Sequence, residues 1–374
     1  MVLDSSVQHI TRLTPLSTVL ALIDRHVVPV APQNAPVRSG ERILATDIVA
    51  PELPARPIAL RDGYAVDAAA IADASAYTPL PFLAVPARID AGEALPPGTD
   101  AVAPLDAVAF RGDRAEAIAA VMPGEGVLSP GGDATPHEPL RRDGERLRAI
   151  DRAVLAAAGI ESAAVRSPRI CIARGNAACS PHIDAALDLV GHAVQACGGR
   201  TPDESGRGGR IEDALASSDI DAVIAVGGTG SGRHDASVQT LAGLGRVAVH
   251  GIAISPGETA AFGFAADEKP VLLVPGRLDG AIAAVLLVGR HLVARLAGAR
   301  VEDLPVMLPL KRKVTSTVGL TELVPVRCAG GVAEPLASGY LSFQSLTRSD
   351  GWIVVAADSE GFAAGTPVAV NRWL

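Results

Sequence analysis

Val226-Gly227-Gly228-Thr229-Gly230-Ser231-Gly232-Arg233-His234-Asp235 is the stretch on which the reading of this chain turns. It follows the apolar run Ala222-Val223-Ile224-Ala225 and precedes a helical pattern over residues 235–242. Glycines lack Cβ atoms, so peptide N–H groups can converge on an anion where a helix begins. Thr229 and Ser231 add hydroxyl donors. Asp235 suits either a helix cap or a divalent cation that bridges to a phosphate. A Walker A loop is excluded, because no Lys-Ser/Thr pair follows the glycines. The plain alternative is a tight turn closed by Asp235.

Upstream of this turn lie an apolar strand pattern at 170–173, a helix pattern at 183–197 ending in Gly198-Gly199, and a short helix pattern at 211–217. Downstream, strands are expected near 247–254 and 271–274, then a long helix over 278–296 closed by Gly298. Strands alternating with helices predict a parallel sheet covered on both faces. In such a sheet, turns at the carboxyl ends of strands share one edge. The turns at 227–235, 255–259 (Ser255-Pro256-Gly257-Glu258-Thr259) and 275–279 (opening Pro275-Gly276-Arg277) are therefore expected to face one cleft.

Outside this region the pattern changes. Helices are expected at 14–28, from near Ser39 to Val49, and at 149–158. Residues 62–145 break into short apolar pieces between Gly and Pro clusters, as in a small all-β module. From about Leu304 the chain reads as strands again, suggesting a C-terminal β-barrel. The expected division is 1–60 with 146–167 as a helical domain, 61–145 as a β-rich module, 168–303 as the α/β domain, and 304–374 as the barrel.

Bulk properties narrow the function. The 374 residues are 48% hydrophobic but only 3% aromatic, so the core is aliphatic. The formal charge of −8 disfavours nucleic-acid or anionic-membrane partners, which need a basic face. The four cysteines form no CxxC pair and read as free thiols of a reducing compartment. The first ten residues hold no apolar leader, and the longest apolar run, 281–288, is short for a membrane span. A cytoplasmic protein is expected.

The order of the motifs resembles the molybdopterin molybdenumtransferase family (the MoeA type, with the matching domain of gephyrin). The resemblance rests on Asp62-Gly63-Tyr64-Ala65-Val66, Arg88-Ile89 before Gly92, and Gly132-Asp133. It continues through Gly227-Gly228 with Asp235, Pro256-Gly257 with Phe262-Gly263, and Pro275-Gly276. It ends with Ser338-Gly339, Leu341-Ser342, Asp350-Gly351 and Glu360-Gly361 with Gly365. It implies a three-layer α/β molybdopterin-binding domain, N-terminal helical and β modules, a C-terminal β-barrel and a homodimer. It implies a reaction in which molybdate enters adenylylated molybdopterin and AMP is released with Mg²⁺. Carried over residue by residue, it nominates Asp62, Asp133 and Asp235 as catalytic carboxylates, with Asp235 as the metal ligand. Gly227, Gly228, Thr229, Gly230, Ser231, Gly232, Ser255, Pro256, Gly257, Pro275, Gly276 and Arg277 would bind the pterin compound.

The chain departs from the family pattern within these motifs. Arg174-Gly175-Asn176-Ala177 stands where the family has Thr-Gly-Asp-Glu, Ser255-Pro256-Gly257-Glu258-Thr259 where it has Lys-Pro-Gly-Lys-Pro, and Pro275-Gly276-Arg277-Leu278 where it has Pro-Gly-Asn-Pro. Two cations and an acidic pair are lost, so the site is degenerate by the family's measure. Arg174 and Arg277 are candidates to restore positive charge. Three readings stay open: a molybdenum-inserting enzyme, a non-catalytic molybdopterin-binding carrier, chaperone or regulator, and an unrelated nucleotide-binding α/β protein.

Overall fold

The computed structural model describes residues 8–38, 42–201, 208–300 and 305–373. The chain divides into two compact units: residues 1–46, 143–149 and 162–374, and residues 47–142 with 150–161.

The first unit is built around a six-stranded sheet. Its order is Gly209–Arg210, Ile170–Arg174, Ala222–Val226, Pro270–Val274, Ala261–Ala265, Gly245–His250. The strand Ala222–Val226 is buried at every position, and its side chains alternate between two cores. Ala222, Ile224 and Val226 join one with Phe262, Leu272 and Val274. Val223 and Ala225 join the other with Leu241, Val271 and Leu273. A period of two on a sheet covered on both faces requires this.

The sheet is mixed rather than wholly parallel, which corrects the sequence expectation. The first four strands run parallel, whereas Ala261–Ala265 is antiparallel to both of its neighbours. Ala261-Phe262-Gly263-Phe264-Ala265 lacks β-branched residues, so sequence pattern does not mark it as a strand. Its burial on both faces, including the edge-to-face pair Phe262–Phe264 at 5.3 Å, supplies what propensity does not.

Helices cover both faces. Pro181–Ala196 starts two residues before the expected position, because Ser180 caps it by accepting from the His182 N–H and Pro181 sits at the first helical position. Ile183, Leu187, Val190 and Val194 form its apolar stripe. Leu16–His26 packs Val19 and Ile23 into the same core. The long expected helix comprises Leu278–Ala284, a π-turn Val285–Gly289 and Arg290–Ala297, ending at left-handed Gly298. Its 20 residues are long and apolar enough to cross a membrane, with mean hydropathy 1.6, but 78% of that window is buried in the protein core.

The helix expected from near Ser39 to Val49 is not formed in its described part; residues 39–41 lie outside the described residues. Ile43–Leu44 is instead a buried strand pairing with Ser162–Arg166. Edge pairing satisfies its backbone before Pro51 and Pro54 forbid a helix.

The C-terminal strands pair in the order Ile254–Ser255, Thr321–Ala329, Gly351–Val355, Pro367–Arg372, Val306–Pro309, with Val332–Pro335 beside Thr321–Ala329. A bridge between Leu310 and Ala333 links the strand 306–309 back to Val332–Pro335, so the pairings run in a ring. Leu310, Val324, Val326, Ile353 and Val368 fill its interior. A capped helix, Phe343–Arg348, interrupts the strands expected here; Ser342 accepts from the Ser345 N–H.

The second unit holds two three-stranded sheets. Gly63–Val66 lies between Ala87–Ile89 and Ala101–Ala103, and Arg114–Ala117 lies between Leu80–Pro81 and Val108–Arg111. Val66, Ile71, Val108 and Val121 pack between them with small alanines.

Candidate functional site

The three turns expected to share a cleft are tied together by hydrogen bonds in the first unit, although only the second and third line a common hollow. Val226 leads into Gly227 and Gly228, both with positive φ (+95° and +74°). At Gly228 glycine is required: a Cβ there would lie 2.2 Å from the Asn176 carbonyl oxygen and 2.2 Å from Ser237 Oγ. The Gly227 N–H donates to Val274 O at 2.9 Å, tying the turn to the strand that ends in Pro275-Gly276. Thr229 Oγ1 and Thr259 Oγ1 share a hydrogen bond of 2.9 Å, which joins the first turn to the second. His250 Nε2 contacts Thr229 O at 3.0 Å.

Within the first turn, exposure is uneven. Gly227, Gly228 and Thr229 are buried, Gly230 is half-buried, and Ser231 and Gly232 are exposed. Asp235 is half-buried, and its Oδ2 accepts from the Gly232 N–H at 3.2 Å, closing the loop on itself. The helix Ser237–Leu244 begins two residues later than Asp235. Ser237 Oγ donates to Gly227 O at 2.7 Å and accepts from the Asn176 N–H at 2.8 Å. Asn176, at a position where the family pattern has a carboxylate, uses its side-chain amide to bond Glu212 and Thr240.

The second and third turns line a hollow of about 440 Å³. Its wall includes Pro256, Gly257, Glu258, Thr259, Pro275, Arg277, Asp279 and Tyr340. Arg277 donates to Asp279 through Nε (3.2 Å) and Nη2 (3.0 Å), a two-point grip, and its guanidinium lies over the Tyr340 ring at 5.0 Å. Asp279 is 5% exposed and also accepts from the Gly280 N–H. The hydrogen bonds and charge of Asp279 hold the Arg277 guanidinium above its usual value, with smaller contributions from Tyr340 and Glu258. The hollow thus carries two carboxylates and one guanidinium that is already paired. Arg174 is engaged elsewhere, in an ion pair with Asp184. Of the two arginines considered for charge compensation, only Arg277 stands with the 256–259 turn.

Beside this hollow a second one, of about 290 Å³, is lined by Ser255, Thr315, Ser316, Thr317, Leu320, Glu322, Ser338 and Gly339. Glu322 is 3% exposed, and its Oε1 accepts from Ser338 Oγ (2.7 Å) and the Gly339 N–H (2.6 Å). This buried carboxylate fixes the loop that presents Tyr340. Sequence pattern singles out neither Tyr340, Asp279 nor Glu322. The Ser338-Gly339 motif, next to Tyr340, is the nearest signal the sequence offers.

Asp62 and Asp133 lie in the second unit, both exposed. Asp62 Oδ1 accepts from the Ala91 N–H at 2.9 Å, and the Asp133 N–H donates to Leu53 O at 2.8 Å. Next to Asp62, Arg61 bonds Val102 O and Glu125. The Met122 N–H and then Arg61 hold the Glu125 carboxyl below its usual range. Among the described residues, no three His, Cys, Asp or Glu side chains gather as a metal centre.

Comparison with known proteins places these features in a family context. Residues 14–159 match a family model described as the MoeA N-terminal region (domain I and II), and residues 307–373 match the MoeA C-terminal region (domain IV). Residues 176–295 match one described as "Probable molybdopterin binding domain". The chain is 25% identical over 399 residues to the molybdopterin molybdenumtransferase of Synechococcus elongatus, covering 94% of this chain and 97% of that protein. It is 34% identical over 161 residues to a Methanocaldococcus jannaschii protein named for molybdopterin biosynthesis, a match spanning 43% of this chain and 38% of that protein. Two crystal structures of a moeA protein from Pyrococcus horikoshii align over 97% of this chain and all of theirs. One has a TM-score of 0.76 at 23% identity, the other 0.74 at 26%.

Proposed function

Because this chain belongs to the MoeA-type molybdopterin molybdenumtransferase family, we propose that it acts in molybdenum-cofactor biosynthesis by inserting molybdate into adenylylated molybdopterin. The supporting observation is that the 256–259 and 275–280 turns line one hollow and that the 227–229 turn is hydrogen-bonded to both segments.

In this reading the hollow takes the pterin compound. Pro256, Gly257, Pro275 and Gly276 bring bare backbone close to the ligand, while Arg277, held by Asp279 and Tyr340, offers a fixed cation to an oxyanion. Thr229 and Thr259 couple the hollow to the glycine turn, whose outer end, half-buried Gly230 with exposed Ser231 and Gly232, meets the phosphate. Mg²⁺ when bound would neutralise phosphate charge as the adenylate leaves. Asp235 offers it one carboxylate, which fits an ion that takes its other ligands from phosphate and water, not a protein-only centre. Asp62 and Asp133 enter as further acidic residues of the reaction. A cytoplasmic homodimer with no nucleic-acid or membrane partner completes the reading.

A second reading, a non-catalytic molybdopterin-binding carrier, chaperone or regulator, is favoured by one observation. Glu258 and Asp279 set two carboxylates against any oxyanion in the hollow. Mixing the protein with adenylylated molybdopterin and molybdate separates the two. Mg²⁺-dependent release of AMP supports insertion; tight pterin binding with no AMP released supports the carrier.

A further inference from the structure

The segment that begins at Gln8 lies across the glycine turn. Gln8 is 6% exposed. Its Nε2 donates to Gly228 O at 2.7 Å and to Gly230 O at 2.7 Å. Its Oε1 accepts from the Val238 N–H at 3.2 Å. Val238 is the second residue of the helix Ser237–Leu244. First-turn N–H groups have no partner within their own helix and favour a negative ligand. The Gln8 carboxamide oxygen therefore stands where an anionic ligand of this helix would place an oxygen, while its nitrogen faces the turn's carbonyls.

The described segment is anchored at Thr14. Thr14 N–H donates to Gly251 O at 2.9 Å, and the Ala253 N–H donates to Thr14 O at 2.8 Å. Between Gln8 and Thr14 the chain runs close to 251: a Cβ on Gly251 would lie 2.5 Å from Ile10 Cγ2. The hold on Gln8 is thus a side-chain contact made six residues beyond a firm backbone anchor, a geometry that can open without disturbing the sheet.

The geometry points to residues 8–13 as an intrasteric strap, in which the Gln8 side chain competes with the phosphate of an adenylate for the start of the helix Ser237–Leu244. This rests on the proposed role of the glycine turn in binding that phosphate. A ligand that reaches past the exposed end of the turn to the Val238 N–H must displace Gln8, and the closed strap lowers its apparent affinity by the fraction of time this position is open. Gln8 carries no charge, so displacement exchanges a neutral acceptor for an anion, which the helix start favours.

AMP is the probe. Its dissociation constant is measured by calorimetry for the full chain and for Gln8→Ala. Amide hydrogen exchange is followed in the unaltered protein with and without AMP. The expected result is binding about tenfold tighter in the variant, as for a strap closed about 90% of the time, with faster exchange at residues 9–13 when AMP is bound. Equal AMP affinity in the two proteins, or unchanged or slower exchange at 9–13 on binding, overturns the strap and leaves the phosphate role of the turn standing. AMP binding by neither protein overturns both. The exchange measurement does not depend on the folding of the variant.

Discussion

Arg277 grips Asp279 through two hydrogen bonds of 3.2 and 3.0 Å, so the one guanidinium in the hollow faces its ligand with its charge already matched. An oxyanion must compete with a buried carboxylate for it. Asp279→Asn keeps an oxygen for the Gly280 N–H and removes the negative charge. Molybdate, followed by equilibrium dialysis, should bind the variant several-fold more tightly. The Arg277 side chain is mostly exposed, so the lost ion pair should lower stability by no more than about 1 kcal/mol in thermal unfolding. Weaker molybdate binding in Asp279→Asn would mean that Asp279 orients Arg277 more than it neutralises it.

Glu258 occupies a position where the family pattern carries a lysine. Glu258→Lys replaces a repelling charge by an attracting one in the same hollow. The expected gain in molybdate affinity is roughly tenfold, equivalent to about 1.4 kcal/mol. Titration in low and high salt checks that the gain is electrostatic, since screening should shrink it. An unchanged affinity would place the oxyanion away from residue 258.

Gly228→Ala should destabilise the first unit by about 2 to 4 kcal/mol, because the φ of +74° and the 2.2 Å approach to Asn176 O leave no room for a methyl group. Gly243, inside the helix Ser237–Leu244, has open space around it: a Cβ there would meet nothing within 4 Å. Gly243→Ala should be neutral or stabilising by about 0.5 to 1 kcal/mol. Denaturant unfolding of the two variants provides the comparison, and equal losses would contradict the packing described for the turn.

Glu125 links pH to the stability of the second unit. Its carboxyl is depressed in the folded state by the Met122 N–H and by Arg61. The stabilisation it gives is present above the unfolded carboxyl pKa and is lost as pH falls through the depressed folded value. Glu125→Gln should flatten the acid limb of the unfolding profile in that window. An identical acid limb in both proteins would show that the depression has no thermodynamic weight, which screening at this half-exposed pair could produce.

Much of the α/β unit is legible from periodicity. The runs 170–173, 222–226 and 271–274 are apolar on both faces, and Gly198 and Gly298, both at positive φ, follow the helix ends expected there. The strand Ala261–Ala265 is not legible, since its Ala and Gly positions disfavour a strand and only Phe262 and Phe264 favour one, until burial on both faces decides it. The 43–44 strand escapes for a related reason: its pairing with 162–166 crosses more than a hundred residues. At the site, the sheet rule accounts for the turns at 227–235 and 275–279, which follow parallel neighbours, whereas 255–259 follows Ile254–Ser255, a strand of the C-terminal sheet. Gln8, Asp279, Tyr340 and Glu322 follow from no local pattern. Gln8, Tyr340 and Glu322 act through contacts with distant segments, as Gln8 does 220 residues from Gly228, whereas Asp279 acts on its near neighbours Arg277 and Gly280.

The turns at 227–235, 255–259 and 275–280 are proposed to form one binding surface for adenylylated molybdopterin. Amide hydrogen exchange with and without that compound measures this directly. Slower exchange in all three turns at the same ligand concentration is the predicted result. Protection confined to other segments, with these three unchanged, would contradict it.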